Sequence, residues 1–198
     1  MSGAAVVAVL AGGRSRRMGA AKATVELGGR PLVAWPLAAA ARAGLEAVVV
    51  AKPGSELPEL AVPVWREPAA PPHPLAGLVC ALERARGRPV VAVACDMPFL
   101  APELLARLAA LEATAAAARV GGRLEPFPGR YTAAALPVLR AALDREAPVR
   151  EALAELAPAE LGEEELRAFG DPARMVVSVN TPAELAAAER LLAGWEPG

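Results

Sequence analysis

The sequence predicts an α/β fold of three layers, a mostly parallel central sheet with helices on both faces. Three observations carry this. Runs such as Val6 to Leu10 and Pro89 to Ala94 are apolar throughout and lack the alternation of a half-exposed strand, so they read as strands buried on both faces. Segments with helical spacing fall between them, and the alternation of strand, loop and helix repeats along the chain. No linker interrupts the order, and 198 residues suit one domain at about 100–200 residues each, so residues 1–198 read as a single domain.

Taken in order, the first strand, Val6 to Leu10, ends abruptly in glycine, and a loop runs from Ala11 to about Lys22. Pro31 to Ala43 has an apolar stripe of Leu32, Trp35 and Leu37, with Pro31 suited to the first turn and Gly44 as the stop. Ala47 to Ala51 and Val62 to Trp65 are the next strands, and a proline-rich loop, Pro68 to Pro74, leads into a helix over Leu75 to Ala85. The strand Pro89 to Ala94 ends in Cys95-Asp96-Met97-Pro98, before a helix over Pro102 to Leu111. Ala115 to Ala118 fits a strand or a helix equally, and Gly121-Gly122 reads as a tight hairpin turn. Leu136 to Leu143 and Val149 to Leu156 read as helices, and Met175 to Val179 as a last strand. Thr181-Pro182-Ala183-Glu184 supplies an N-cap, a proline at the first helical position and a glutamate at the third, which starts a C-terminal helix over about 181–193.

Composition narrows the function. The 21 basic and 22 acidic residues leave a net charge of -1, which argues against a nucleic-acid footprint or a polybasic membrane patch and for a small partner. Two cysteines and one histidine cannot make a Cys/His zinc site or a disulfide framework, and a reducing cytoplasmic location is expected. The apolar opening is short and has no positive residues before it, so a buried strand explains it better than a signal peptide. No apolar run approaches the roughly 18–20 residues of a membrane helix. Lys22 and Lys52 are the only lysines, Asn180 the only asparagine and His73 the only histidine, while aspartate occurs only at Asp96, Asp144 and Asp171. A rare residue type in a suggestive place therefore carries more information than usual.

The segment Leu10-Ala11-Gly12-Gly13-Arg14-Ser15-Arg16-Arg17-Met18-Gly19, ending near Lys22, is the most informative. Glycines just past a strand expose backbone N–H groups, and three arginines with a lysine add the positive charge that a polyphosphate needs. It is neither a P-loop nor Gly-x-Gly-x-x-Gly, and a solvated basic turn is the plain alternative. Asp96 lies just past the carboxyl end of a central strand, where ligands bind in open α/β sheets. It suits an oxygen ligand for Mg²⁺ bridging to phosphates, with a cap on the helix near Pro102 as the alternative. Asn180 occupies a similar strand end, or is merely the neighbour of an N-cap. Glu67 and His73 fall in the proline-rich loop, Cys95 reads as packing, and no set suited to nucleophilic catalysis assembles.

Together these pieces resemble the molybdenum cofactor guanylyltransferases of the MobA type, within the Rossmann-like nucleotidyltransferases. The matching stretches are Leu10 to Gly19 with Lys22, Gly29-Arg30-Pro31-Leu32, Pro74-Leu75-Ala76-Gly77, Cys95-Asp96-Met97-Pro98 and Val179-Asn180-Thr181-Pro182-Ala183-Glu184, which span nearly the whole chain in the expected order. The resemblance implies transfer of GMP from GTP to the terminal phosphate of molybdopterin, with release of pyrophosphate and dependence on Mg²⁺. It implies that Leu10, Ala11, Gly12, Gly13, Arg14, Arg17 and Lys22 hold the nucleotide and its phosphates, with Arg17, Lys22 and Asp96 as the catalytic set. Asp96 would also bind Mg²⁺, and Asn180 would lie near the metal or the second substrate. Transient contact with proteins that deliver the cofactor is implied as well.

Gly12, where cytidylyl relatives tend to have alanine, and Asn180, where they tend to have aspartate, favour guanylyl transfer. Three positions depart from the family pattern: Ala21 replaces an aspartate before the lysine, His73 a glycine, which would crowd the base pocket, and Glu67 stands roughly where relatives carry a nucleotide-binding aspartate. A nucleotidyltransferase of the same fold using CTP or another acceptor remains an alternative. So does a regulatory nucleotide-binding module, for which Ala21 is the hint.

Overall fold

A computed structural model describes residues 3–12 and 21–194. The strands are β1 Val6–Leu10, β2 Glu26–Leu27, β3 Arg30–Pro31, β4 Glu46–Ala51, β5 Val64–Arg66, β6 Val90–Ala94, β7 Ala115–Val120, β8 Arg123–Tyr131 and β9 Ala159–Leu161. The α-helices are α1 Ala34–Arg42, α2 Pro74–Arg84, α3 Pro102–Ala110, α4 Leu136–Asp144, α5 Val149–Glu155, α6 Glu163–Leu166, α7 Pro172–Met175 and α8 Pro182–Ala193. Seven strands form one sheet in the order β5-β4-β1-β6-β8-β7-β9. In it, β8 runs antiparallel to β6 and β7, and the other pairings are parallel, as the uninterrupted apolar runs predict.

Side chains alternate across each strand, so the sheet separates two cores. Val7 and Val9 of β1 join Ala39 and Ala40 of α1 and Leu104, Leu105 and Leu108 of α3 on one face. Val6 and Ala8 join Leu75, Leu78 and Leu82 of α2, Leu139 of α4 and Leu153 of α5 on the other. The three leucines of α3 are wholly buried, each contributing about 1.5–3 kcal/mol relative to exposure. A third, smaller core of Leu27, Leu32, Phe99, Val179 and Ala188 ties the β2–β3 hairpin to α8. Gly28 N adds a bond to Glu189 Oε1 at 3.0 Å.

Three sequence expectations are corrected or resolved. Pro31 does not open α1: Gly28 and Gly29, with φ of +56° and +71°, turn the chain back so that Pro31 pairs with Glu26, and the helix begins at Ala34. Met175 to Val179 is not a strand. Asp171 caps the turn by accepting from Ala173 N, Pro172 starts α7, and residues 176–181 run irregularly, tied to the sheet end by Val179 N donating to Asp96 O at 2.9 Å. Ala115 to Ala118 is a strand, because Gly121 and Gly122, both with positive φ, turn it into a hairpin with β8.

A register shift between Ala117 and Ala118 lifts the middle of β8 out of the ladder. Tyr131, wholly buried, braces the excursion by donating to Pro126 O at 2.9 Å. Gly129 is required beside it, since a Cβ there would stand 2.5 Å from Pro126 O. No described helix is long and apolar enough to cross a membrane.

Candidate functional site

The carboxyl ends of β1, β4, β5 and β6 converge on one edge of the sheet. Backbone bonds continue the ladder just past them: Ala11 N donates to Val50 O at 2.7 Å, Glu67 N to Ala51 O at 3.1 Å and Cys95 N to Leu10 O at 3.1 Å. A cavity of about 500 Å³ lies over these ends, and its walls include Leu10, Gly12, Lys22, Glu67 and Asp96 from the sequence expectation. Lys52, Phe127 and Ser178 line it as well, and sequence reading did not single them out as site residues. For Lys52 the scarcity of lysine was an available signal. For Phe127 there was none, because its place depends on the β8 excursion.

At one end of the cavity Asp96 is buried, with 4% exposure, and its Oδ2 accepts from Lys22 Nζ at 2.5 Å. The same ammonium donates to Asn180 Oδ1. Asn180 is fixed in turn by its Nδ2 donating to Ser178 Oγ at 2.9 Å and by its backbone N donating to Glu184 Oε2 at 2.7 Å. Thr181 Oγ1 accepts from Glu184 N, so the cap that starts α8 also sets the segment carrying Asn180. Ala21 opens a 3₁₀ turn over Lys22–Thr24 without a side-chain cap, and Thr24 closes that turn through Oγ1 onto Ala21 O at 2.8 Å. Lys22 therefore reaches Asp96 with alanine at residue 21.

Asp96 does not cap α3, whose N-cap is Ala101. Its other oxygen, Oδ1, is buried and has no hydrogen-bond partner. A buried carboxylate oxygen without a donor is costly unless an incoming cation or donor satisfies it, so this atom fits a divalent ion. Among the described residues no group of three or more His, Cys, Asp and Glu forms a metal cage.

At the other end Glu67 is equally buried, and its Oε2 also lacks a partner. Burial pushes its carboxyl pKa up, and Lys52, with Nζ 3.8 Å from Oε1, pulls it back. Gly12 and Gly77 make room for this carboxylate. A Cβ at Gly12 would stand 1.6 Å from Oε1, and one at Gly77 would stand 3.2 Å from Oε2. His73 is the N-cap of α2, its Nδ1 accepting from Leu75 N at 3.2 Å, and it also contributes to the cavity wall. Cys95 is fully buried, and burial followed by the neighbouring Asp96 charge raises its thiol to about 12, so it stays protonated and packs.

The structure thus brings Leu10, Gly12, Lys22, Glu67 and Asp96 to one cavity and joins Asn180 to it through Lys22. Ala11 is not among the lining residues; it is buried in the core with its N–H already given to Val50. Gly13, Arg14 and Arg17 lie outside the described residues. Opposed charges gathered over the carboxyl edge of a mostly parallel sheet are the arrangement of an α/β nucleotidyltransferase.

The chain belongs to the MobA-like NTP transferase family, whose domain model matches residues 7–161. A molybdenum cofactor guanylyltransferase of Cereibacter sphaeroides is 36% identical over 194 residues, covering 93% of this chain and 95% of that protein. Among solved structures, molybdopterin-guanine dinucleotide biosynthesis protein A from Archaeoglobus fulgidus superposes with a TM-score of 0.81 at 27% identity, covering 96% of this chain and 100% of that one. The 2-C-methyl-D-erythritol 4-phosphate cytidylyltransferase of Thermus thermophilus shares the fold, with a TM-score of 0.66 at 23% identity and coverage of 96% and 98%.

Proposed function

We propose that this protein transfers GMP from GTP to the terminal phosphate of molybdopterin and releases pyrophosphate. The observation that carries the reading is the pair of buried carboxylate oxygens without donors, Glu67 Oε2 and Asp96 Oδ1, belonging to two residues that line one cavity. Guanine presents N1–H and an exocyclic amine side by side, which an ionised carboxylate accepts together. Cytosine offers no such pair. The full-length similarity to a molybdenum cofactor guanylyltransferase supports molybdopterin as the acceptor.

In this reading Glu67 takes the base and Lys22 takes the phosphates, exchanging a bond to Asp96 or Asn180 for phosphate oxygens. Mg²⁺ would be held by Asp96 with the phosphates, where it would offset the charge gathering on the departing pyrophosphate. An oxygen of the acceptor phosphate attacks the α-phosphorus of GTP, and the bond from that phosphorus to the bridging oxygen of pyrophosphate breaks. The acceptor oxygen is already ionised, so no general base is required. Catalysis then rests on positioning and charge. Gly13, Arg14 and Arg17 are proposed to surround the same phosphates.

The direct test is pyrophosphate release with Mg²⁺, molybdopterin and each of the four nucleoside triphosphates in turn. Release confined to GTP supports the reading; equal release from CTP, or tight GTP binding without release, removes it. Replacing Lys22 by alanine is expected to weaken GTP binding by about 1–3 kcal/mol through lost charge-assisted contacts, as read by calorimetry. Glu67→Gln is expected to lower the preference for GTP over CTP by about 2 kcal/mol, since the amide accepts one of the two bonds and brings a competing donor. The ratio of kcat/KM values for the two nucleotides measures it.

A further inference from the structure

Lys52 stands just past β4 with its side chain 13% exposed, and its ammonium is engaged inside the protein. Nζ donates to Pro68 O at 2.9 Å and to Pro71 O at 3.2 Å, and lies 3.8 Å from Glu67 Oε1. Two of its three donors are thus given to loop carbonyls, while its charge faces the Glu67 carboxylate. Its own carbonyl is held as well, accepting from Arg66 Nη1 at 3.0 Å.

The acceptors explain why such a clamp is needed. Residues 68, 71, 72 and 74 are prolines and have no N–H, so this stretch has few backbone donors of its own, His73 N to Pro71 O at 2.9 Å being one. The stretch nevertheless forms part of the cavity wall beside Glu67, through Pro72, His73 and Pro74. Lys52 adds a donor from outside it, to Pro68 O and Pro71 O. Among the described residues, Leu10 and Gly12 from β1 and its end, Gly77 and the Cys80 thiol from α2 and His73 on the cavity wall stand around Glu67, while the Arg66 guanidinium is turned to Lys52 O and that of Arg84 to Arg66 O. Among the described residues Lys52 is the cation paired with this carboxylate.

We infer that Lys52 is a positioning residue for nucleotide selection, clamping the proline-rich loop at the base end of the cavity and keeping Glu67 in place as a charged acceptor. This rests on the reading of the cavity as a GTP site. Removing the ammonium leaves Glu67 buried without its counter-charge, so its carboxyl takes up a proton more readily, and base discrimination becomes dependent on pH.

The test measures kcat and KM for GTP and for CTP with Lys52→Met, Lys52→Gln and Lys52→Arg at about pH 6 and about pH 8.5. The methionine variant is expected to raise KM for GTP about tenfold with kcat within about twofold, and to lose GTP preference by about tenfold at the lower pH. Preference should return toward the wild-type ratio at the higher pH, as Glu67 ionises. Lys52→Arg, which keeps the charge, should stay within about threefold of wild type at both values. Thermal unfolding of the same variants reports whether they fold, and if the methionine variant does not, the glutamine variant carries the same comparison. A wild-type ratio in the uncharged variants at the lower pH, or a loss that does not recover at the higher pH, overturns the inference. A wild-type protein that fails to bind GTP overturns the underlying reading instead, and wild-type calorimetry separates the two.

Discussion

Asp96→Ala is expected to lower turnover by about 10²-fold or more, the largest effect of any single side chain described. The carboxylate is the acidic group at the Lys22 end of the cavity, and its loss removes both the oxygen that accepts from Lys22 and the one that has no partner. The fold should hold, because the bond that ties residues 176–181 to the sheet, Val179 N to Asp96 O, uses backbone alone. Pyrophosphate release and thermal unfolding of the same preparation check both halves of the statement. A folded variant with near-normal release would show that charge at this position does not serve the reaction.

Gly12→Ala should be nearly as damaging, and for a steric reason. The new methyl would meet Glu67 Oε1 at 1.6 Å, so the carboxylate must shift from its place. GTP use is expected to fall by about 10²-fold, combining an overpacking cost of about 1–3 kcal/mol with displacement of the base acceptor. In a Glu67→Ala background the same methyl meets no carboxylate and should cost little beyond the loss of Glu67 itself. A double-mutant cycle on kcat/KM for GTP measures the coupling, expected at about 2 kcal/mol. Additive effects would place the penalty in the Gly12 backbone. The cycle also gives a physical reading of glycine at this position: alanine and a carboxylate at residue 67 compete for one space.

The strands of the parallel part were legible because burial on both faces leaves a plain mark, an uninterrupted apolar run, and Val6–Leu10 shows it. Asp96 was legible because a rare residue type stood at a strand end, and Lys22 because one of two lysines followed a glycine-rich basic segment. What escaped has a common cause. Pro31 looked like a helix start because a proline at the first turn and one pairing in a hairpin read alike until the positive φ of Gly28 and Gly29 is known. Met175 to Val179 looked like a strand by composition, but the cap at Asp171 and the packing of Val179 into the third core hold it otherwise. Lys52 and Phe127 reach the cavity through long-range contacts, a loop of prolines in one case and a bulged strand in the other, and neither leaves a local pattern.

The third core has a thermodynamic consequence. It holds few wholly apolar contacts, yet it fastens α8, and the cap of α8 holds Asn180 against Lys22. Opening of α8 and the β2–β3 hairpin as a unit requires far less surface exposure than unfolding the seven-stranded sheet, so it lies at the low end of the protein's opening free energies. Each such opening would take Asn180 away from the cavity while leaving Asp96 and Glu67 on the sheet. Any ligand that engages Lys22 and Asn180 together is thereby linked to the closed form of this unit, and by mass action adds its own binding free energy to the unit's stability. The order of this unit thus depends on what the cavity holds.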